Sequence, residues 1–206
     1  RTKAIMGVHV FGNPCDVEAI EKIAQKYKLK VIYDAAHAFG VTYKDKPVMS
    51  YGDISVCSFH ATKVFHTIEG GCLVVRNKEV SDKVELIKRV GHNNDDHFML
   101  GINAKASEFQ AAMGLCNLNH VDEIIAARKK VVSKYDKLLK GMPRAQKLND
   151  HTVYNYAYYP VLLKDEKKLM EIMDKLKEEN IFPRRYFYPS LNALPYLETS
   201  QGCPMS

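Results

Sequence analysis

Four short runs of apolar, β-prone residues, at 4–11, 29–33, 54–59 and 72–75, constrain the fold of this chain more than any other feature. They are apolar on both faces rather than alternating, as strands buried on both sides are. Gly12, Asn13 and Pro14 break the first run, and Asp16 is placed to cap a helix reaching to about Tyr27. Val17, Ile20, Ile23, Ala24 and Tyr27 fall on one face of that helix. Strand, helix, strand in this order predicts an α/β sheet with helices on both faces.

Further along, 81–90 reads as a helix with Val80, Val84 and Ile87 inward and Gly91 as its stop. Ser107 and Gln110 have capping-box spacing and open a helix through Leu118 that continues as a longer pattern to about Lys140. Val121, Ile124, Ile125, Val132, Tyr135 and Leu139 are its apolar stripe, a packing surface with no chemistry of its own. Gly141, Pro143 and the polar stretch to Asp150 read as a domain boundary. Residues 1–142 then form a large domain with a long connecting helix, and 151–206 a small α+β domain. In the latter, 152–163 and 181–188 are expected as strands and 166–179 as an amphipathic helix, while 191–206 has no clear periodicity. The first residue is Arg1 and a core-type strand follows at once, so the chain is expected to be a piece of a longer protein.

The 206 residues are 46% hydrophobic and 26% charged, which excludes disorder and collagen-like repeats. No apolar run approaches the roughly 18 residues of a membrane span, and the N-terminal stretch lacks a signal peptide's pattern, so a soluble, cytoplasmic protein is expected. Cys15, Cys57, Cys72, Cys116 and Cys203 make an odd count without a C-x-x-C pair, which favours reduced thiols. A net charge of +6 suits phosphate-bearing ligands but falls well short of a nucleic-acid signature. Much of the excess lies on helical surface, as at Lys129, Lys130, Lys134 and Lys137. His92, Asp95, Asp96 and His97 cluster without a common zinc spacing; a polar loop near the substrate entrance is expected and no metal.

In an open α/β sheet, ligands sit beyond the carboxyl ends of the strands, where Asp34 lies directly after Val31-Ile32-Tyr33. A carboxylate there is a helix cap, half of a buried ion pair, or a charge facing a ligand. Lys63 follows the strand 54–59 and has Ser58, Thr62 and the pair Gly70-Gly71 for company. A lysine acts as a nucleophile near neutrality only in a desolvated or cationic neighbourhood, which a buried cofactor site supplies.

These residues carry a resemblance. The run Val31-Ile32-Tyr33-Asp34-Ala35-Ala36-His37-Ala38-Phe39-Gly40, then Ser58-Phe59-His60-Ala61-Thr62-Lys63 and Glu69-Gly70-Gly71, resembles the DegT/DnrJ/EryC1/StrS sugar aminotransferases, fold-type-I enzymes that use pyridoxal 5'-phosphate (PLP). Gly101-Ile102-Asn103, Ser107-Glu108-Phe109-Gln110-Ala111-Ala112 and Arg184-Arg185-Tyr186-Phe187-Tyr188-Pro189 are similar to further family segments, so the resemblance covers nearly the whole chain. It implies the aspartate aminotransferase-like fold, with Lys63 as the Schiff-base lysine and Asp34 as partner of the pyridinium nitrogen. It further implies Ser58 at the cofactor phosphate, His37 near the ring oxygen and Ala36 against the ring face. Asn103 matches a residue that reaches the neighbouring subunit's cofactor phosphate, implying a homodimer with shared active sites. Where the family often has arginine two positions later, this chain has Lys105. Arg184, Arg185 and Tyr188 are candidates for the substrate, the arginines for its diphosphate.

The family's substrates imply transamination of a nucleotide-linked keto-sugar, here closest to members acting on dTDP-4-keto-6-deoxyhexose, with glutamate as amino donor. Two alternatives stand beside this. A dehydratase of the same family has histidine at the Lys63 position, and a catalytically silent fragment would keep only a folding and dimerisation role. Family members begin upstream of Arg1 with further phosphate contacts and a ring-stacking aromatic, and they continue past Ser206.

Overall fold

The structure, a computed structural model, describes residues 1–197. Its first strand, β1 (Ala4–Val8), ends in a 3-10 turn at Val10–Gly12 rather than running on to Phe11. Helix α1 (Val17–Tyr27) follows, with the Asp16 carboxylate accepting the Ala19 N–H at its N-terminus and Lys28 closing it in the left-handed region at φ 54°. Strand β2 (Lys30–Asp34) lies parallel to β1, as a helical crossover requires. Two-residue strands β3 (Thr42–Tyr43) and β4 (Lys46–Pro47) lead through a 3-10 turn into β5 (Ile54–Ser58), parallel to β2. Strand β6 (Gly71–Val75) is antiparallel to β5 because the segment joining them turns back without a crossover helix. The sheet order is β1-β2-β5-β6.

Helix α2 (Lys78–Lys88), capped by Asn77, precedes a small hairpin of β7 (His92–Asn93) and β8 (Asp96–His97) in place of the expected polar loop. Then come α3 (Glu108–Leu118), opened by the complete Ser107/Gln110 capping box, and α4 (Val121–Leu138). The single long helical pattern is therefore two helices. Asn119 interrupts it by donating its side-chain amide to the Leu115 carbonyl, so a side chain competes with the helical ladder.

The core forms where α1 meets β2: Val17 and Ala24 pack on Val31 and Tyr33. Glycines make room for the Tyr33 ring, since a Cβ on Gly7 or on Gly52 would come within 2.9 Å of it. The buried stripe of α1 is narrower than expected, for Ile23 and Tyr27 are exposed beside it. A larger correction concerns the sheet. Among the described residues it is covered on one face only: Met6, Val8, Val56 and Leu73 share the other face and are 66%, 44%, 39% and 46% exposed.

The chain divides into two compact units between Val161 and Leu162. The expected boundary at 141–150 is displaced because the following stretch is held by the first unit. Only β9 (Thr152–Val153) of the expected strand 152–163 forms, and it pairs with β3; Tyr154 and Asn155 after it are buried. In the second unit α5 (Glu166–Glu178) is capped by Asp165. Residues 181–188 are irregular rather than a strand, because no described strand of that unit offers them an edge to pair with. Cys203 and the last part of the aperiodic stretch 191–206 lie outside the described residues.

Candidate active site

Asp34 ends β2 and Ser58 ends β5, so the parallel strands bring both to the carboxyl edge of the sheet. One Asp34 oxygen accepts the Ala36 N–H at 2.9 Å, which fixes the carboxylate over the turn that begins 35–40. Ala35 and Ala38 are fully buried and pack with Val41 and Val48, so the turn rests on a core cluster while Ala36 and His37 stay partly accessible. The alanines allow this tight packing.

Lys63 rides on the loop between β5 and β6. Its backbone N–H donates to the His60 carbonyl, and the loop's base is closed by Phe59 N–H to Gly70 O and Thr67 N–H to Phe59 O. Phe65 is buried and stacks on Phe39 with ring centroids 4.5 Å apart, joining the Lys63 loop to the His37 turn. Helix α3 holds the loop from the other side: Gln110 donates to Glu69 O at 2.9 Å and Asn117 to His66 O at 2.9 Å. Among the described residues Lys63 has no ion pair and no side-chain hydrogen bond. The nearby imidazole of His60 is 3.6 Å from the Glu69 carboxylate.

The two halves meet in a small cleft lined by Ala36, His37, Lys63, Asn155 and Tyr158, among others. Burial pushes the His37 imidazole below its ordinary range and the Lys63 ammonium adds to this, while Asp34 acts in the opposite sense. His37 thus senses both charges. Its Nδ1 accepts the Phe11 N–H at 3.0 Å, so the ring is neutral with its proton on Nε2. Ser58 Oγ accepts the His60 N–H at 3.3 Å and keeps its own proton for another acceptor.

Five of the sequence-predicted residues, Asp34, Ala36, His37, Ser58 and Lys63, therefore belong to neighbouring strand ends and turns of one unit. Asn103 does not join them. It is exposed and bridges Arg89 beyond α2, and Lys105 beside it is exposed too. In the second unit Arg185 is ion-paired to Glu166 at 2.9 Å and lies over the Tyr188 ring at 3.3 Å, whereas Arg184 donates to the Tyr186 hydroxyl and lies over its ring. Asn155 and Tyr158 were not singled out from sequence; they lie over 90 residues from Lys63, and nothing local marks them.

The donor set fits PLP: a carboxylate for a pyridinium nitrogen, a free amine, a neutral ring N–H for an anionic ring oxygen and a free hydroxyl for phosphate. Residues 1–205 match the DegT/DnrJ/EryC1/StrS aminotransferase family. The chain is 44% identical to dTDP-4-amino-4,6-dideoxy-D-glucose transaminase of Shigella dysenteriae, over 98% of this chain and 57% of that protein. It is 33% identical to GDP-perosamine synthase of Escherichia coli O157:H7, over 100% of this chain and 57% of that one. Among solved structures, DesI in the presence of its TDP-sugar product superposes with a TM-score of 0.87 at 32% identity, covering 99% of this chain and 54% of that one. The chain thus spans little more than half the length of the relatives it matches.

Proposed function

The chain belongs to the DegT/DnrJ/EryC1/StrS aminotransferase family, whose members depend on PLP, and from that premise we propose that its protein transfers an amino group from glutamate to a nucleotide-linked keto-sugar. The observation that carries this reading is the placing of Lys63, without an ion pair among the described residues, beside His37, whose imidazole feels both the Lys63 and the Asp34 charge. When bound, PLP supplies a carrier for the amino group and an electron sink for the bond broken at the substrate carbon. Asp34 would hold a proton on the pyridine nitrogen, which makes the ring a better electron acceptor. Lys63 Nζ would take the proton from the substrate carbon bearing the nitrogen and return it on the cofactor side, a general acid/base role worth about 10² to 10⁴ in rate. Nε2–H of His37 would donate to the ring oxygen and Ser58 Oγ–H to the phosphate, and Ala36 would leave room for the ring face.

The 44% relative acts at a dTDP-linked 4,6-dideoxyhexose, which supports dTDP-4-keto-6-deoxyhexose as the substrate ahead of a GDP-linked one. Arg184 is the arginine we assign to the diphosphate, since Glu166 already neutralises Arg185; Tyr188 is occupied by that same arginine. A homodimer, with Asn103 reaching the partner's cofactor phosphate, and a cytoplasmic location complete the proposal. Lys63, in place of histidine, disfavours the dehydratase alternative.

Borohydride reduction in the presence of PLP, followed by peptide mapping, is expected to label Lys63. Glutamate and a dTDP-4-keto-6-deoxyhexose are expected to turn over with wild type and not with Lys63→Ala. Absence of label on Lys63 in wild type, or full turnover by Lys63→Ala, would overturn the reading.

A further inference from the structure

The segment after β9 contributes a side chain that spends both of its amide protons on the His37 turn. Asn155 is 1% exposed, and its amide nitrogen donates to two carbonyls, His37 O and Phe39 O, each at 2.9 Å. Its Oδ1 accepts the Ala157 N–H at 3.2 Å. A buried amide with every proton used on one turn is a clamp, because breaking it strands three polar groups in an apolar interior. The turn is gripped from a second side as well. Phe11, at φ 57°, aims its N–H at His37 Nδ1, and Tyr154 donates to the Phe11 carbonyl at 2.7 Å. Gly12 between them admits no side chain, for a Cβ there would lie 2.8 Å from His37 O and 3.0 Å from Asn155 Oδ1. From behind, α4 secures the 154–158 stretch through Arg128, which donates to Ala157 O at 3.2 Å.

We propose that Asn155 is a positioning residue of the Lys63 site: by fixing the 37–39 backbone it holds His37 where Phe11 fills Nδ1, leaving Nε2–H as a fixed donor toward an anionic oxygen in the cleft. That this oxygen belongs to the cofactor ring rests on the function proposed above. The clamp itself does not. The imidazole stays neutral for two reasons already on the molecule, burial and the adjacent Lys63 ammonium, so loosening the turn acts on tautomer and titration together.

The test uses protein with 15N-labelled histidine, free of cofactor, and reads the His37 ring by long-range proton–nitrogen correlation across pH. Wild type is expected to show the Nε2–H tautomer and to titrate below the ordinary histidine value of 6.5. Asn155→Ala is expected to raise that titration toward 6.5 and to populate both tautomers; Asn155→Ser, which keeps one donor, is expected to lie between. Val17→Ala, a cavity in the separate α1 and β2 core, is expected to lower stability and leave His37 unmoved. PLP affinity is expected to fall about tenfold in Asn155→Ala, the loss of one net hydrogen bond's worth of positioning. An Nδ1–H tautomer in wild type, an unmoved His37 in both Asn155 variants, or an equal shift in Val17→Ala would overturn the proposal. Should Asn155→Ala not fold, the wild-type tautomer and the serine variant decide the matter. Failure of Lys63 to take a label overturns the transaminase reading alone, because the spectra are recorded without cofactor.

Discussion

His9 shows how much one buried side chain can make stability depend on pH. Its ring is fully buried, stacks on Tyr33 at 4.6 Å and accepts the Cys15 N–H on Nδ1, while Nε2 has no partner among the described residues. Burial lowers its pKa from 6.5 to about 4, partly opposed by Asp34. Between those values the unfolded chain binds a proton that the native chain refuses. The contribution is complete above pH 6.5 and is lost as pH falls toward 4, roughly 3 kcal/mol in all. Urea midpoints measured from pH 7 to 4.5 should fall steeply, and a flat profile would show that His9 is not buried neutral. Asp34→Asn is expected to weaken PLP binding and turnover together, read by cofactor titration and initial rates; unchanged kinetics would refute its role at the ring nitrogen. Asp34 was legible as a strand-end carboxylate, and Lys63, on the loop beyond β5, only through the family resemblance. Asn155 was not, since its partners lie 116 and 118 residues away.

Among the elements, α3 does two things with one residue. Gln110 Oε1 accepts the Ser107 N–H at 2.7 Å to complete the capping box, and its Nε2 donates to Glu69 O in the Lys63 loop. The two roles separate by substitution. Ser107→Ala is expected to cost about 1 kcal/mol of stability with little effect on the loop. Gln110→Glu keeps the capping acceptor but turns a donor into an oxygen facing Glu69 O, so thermal denaturation should change little while borohydride labelling of Lys63 slows. Equal labelling rates in both variants would mean that the loop does not depend on α3. The caps at Asp16 and Ser107 were readable because capping is local chemistry, settled within four residues. The strands expected at 152–163 and 181–188 failed for the opposite reason: apolar β-prone residues form a strand only where a neighbouring edge accepts their backbone groups.

For the molecule as a whole, Phe98, Leu100, Ile102 and Phe109 are 61%, 97%, 62% and 87% exposed and lie close in sequence to Asn103. The homodimer proposed above gives these side chains a partner surface. Sedimentation is expected to show a dimer, and Phe109→Asp to shift it toward monomer; a wild type that sediments as monomer at micromolar concentration would remove the shared-site role of Asn103. Sequence alone determined the succession β1, α1, β2, β5, β6, α2 and the caps at Asp16 and Ser107, because periodicity and capping are written over short stretches of chain. Only the tertiary structure decided that β6 turns back antiparallel, that one sheet face stays open among the described residues, and that 152–161 belongs with the first unit. Those outcomes rest on hydrogen bonds and packing between residues far apart in the chain, such as Asn155 with the His37 turn, and no local pattern encodes which distant partner a buried polar group will find.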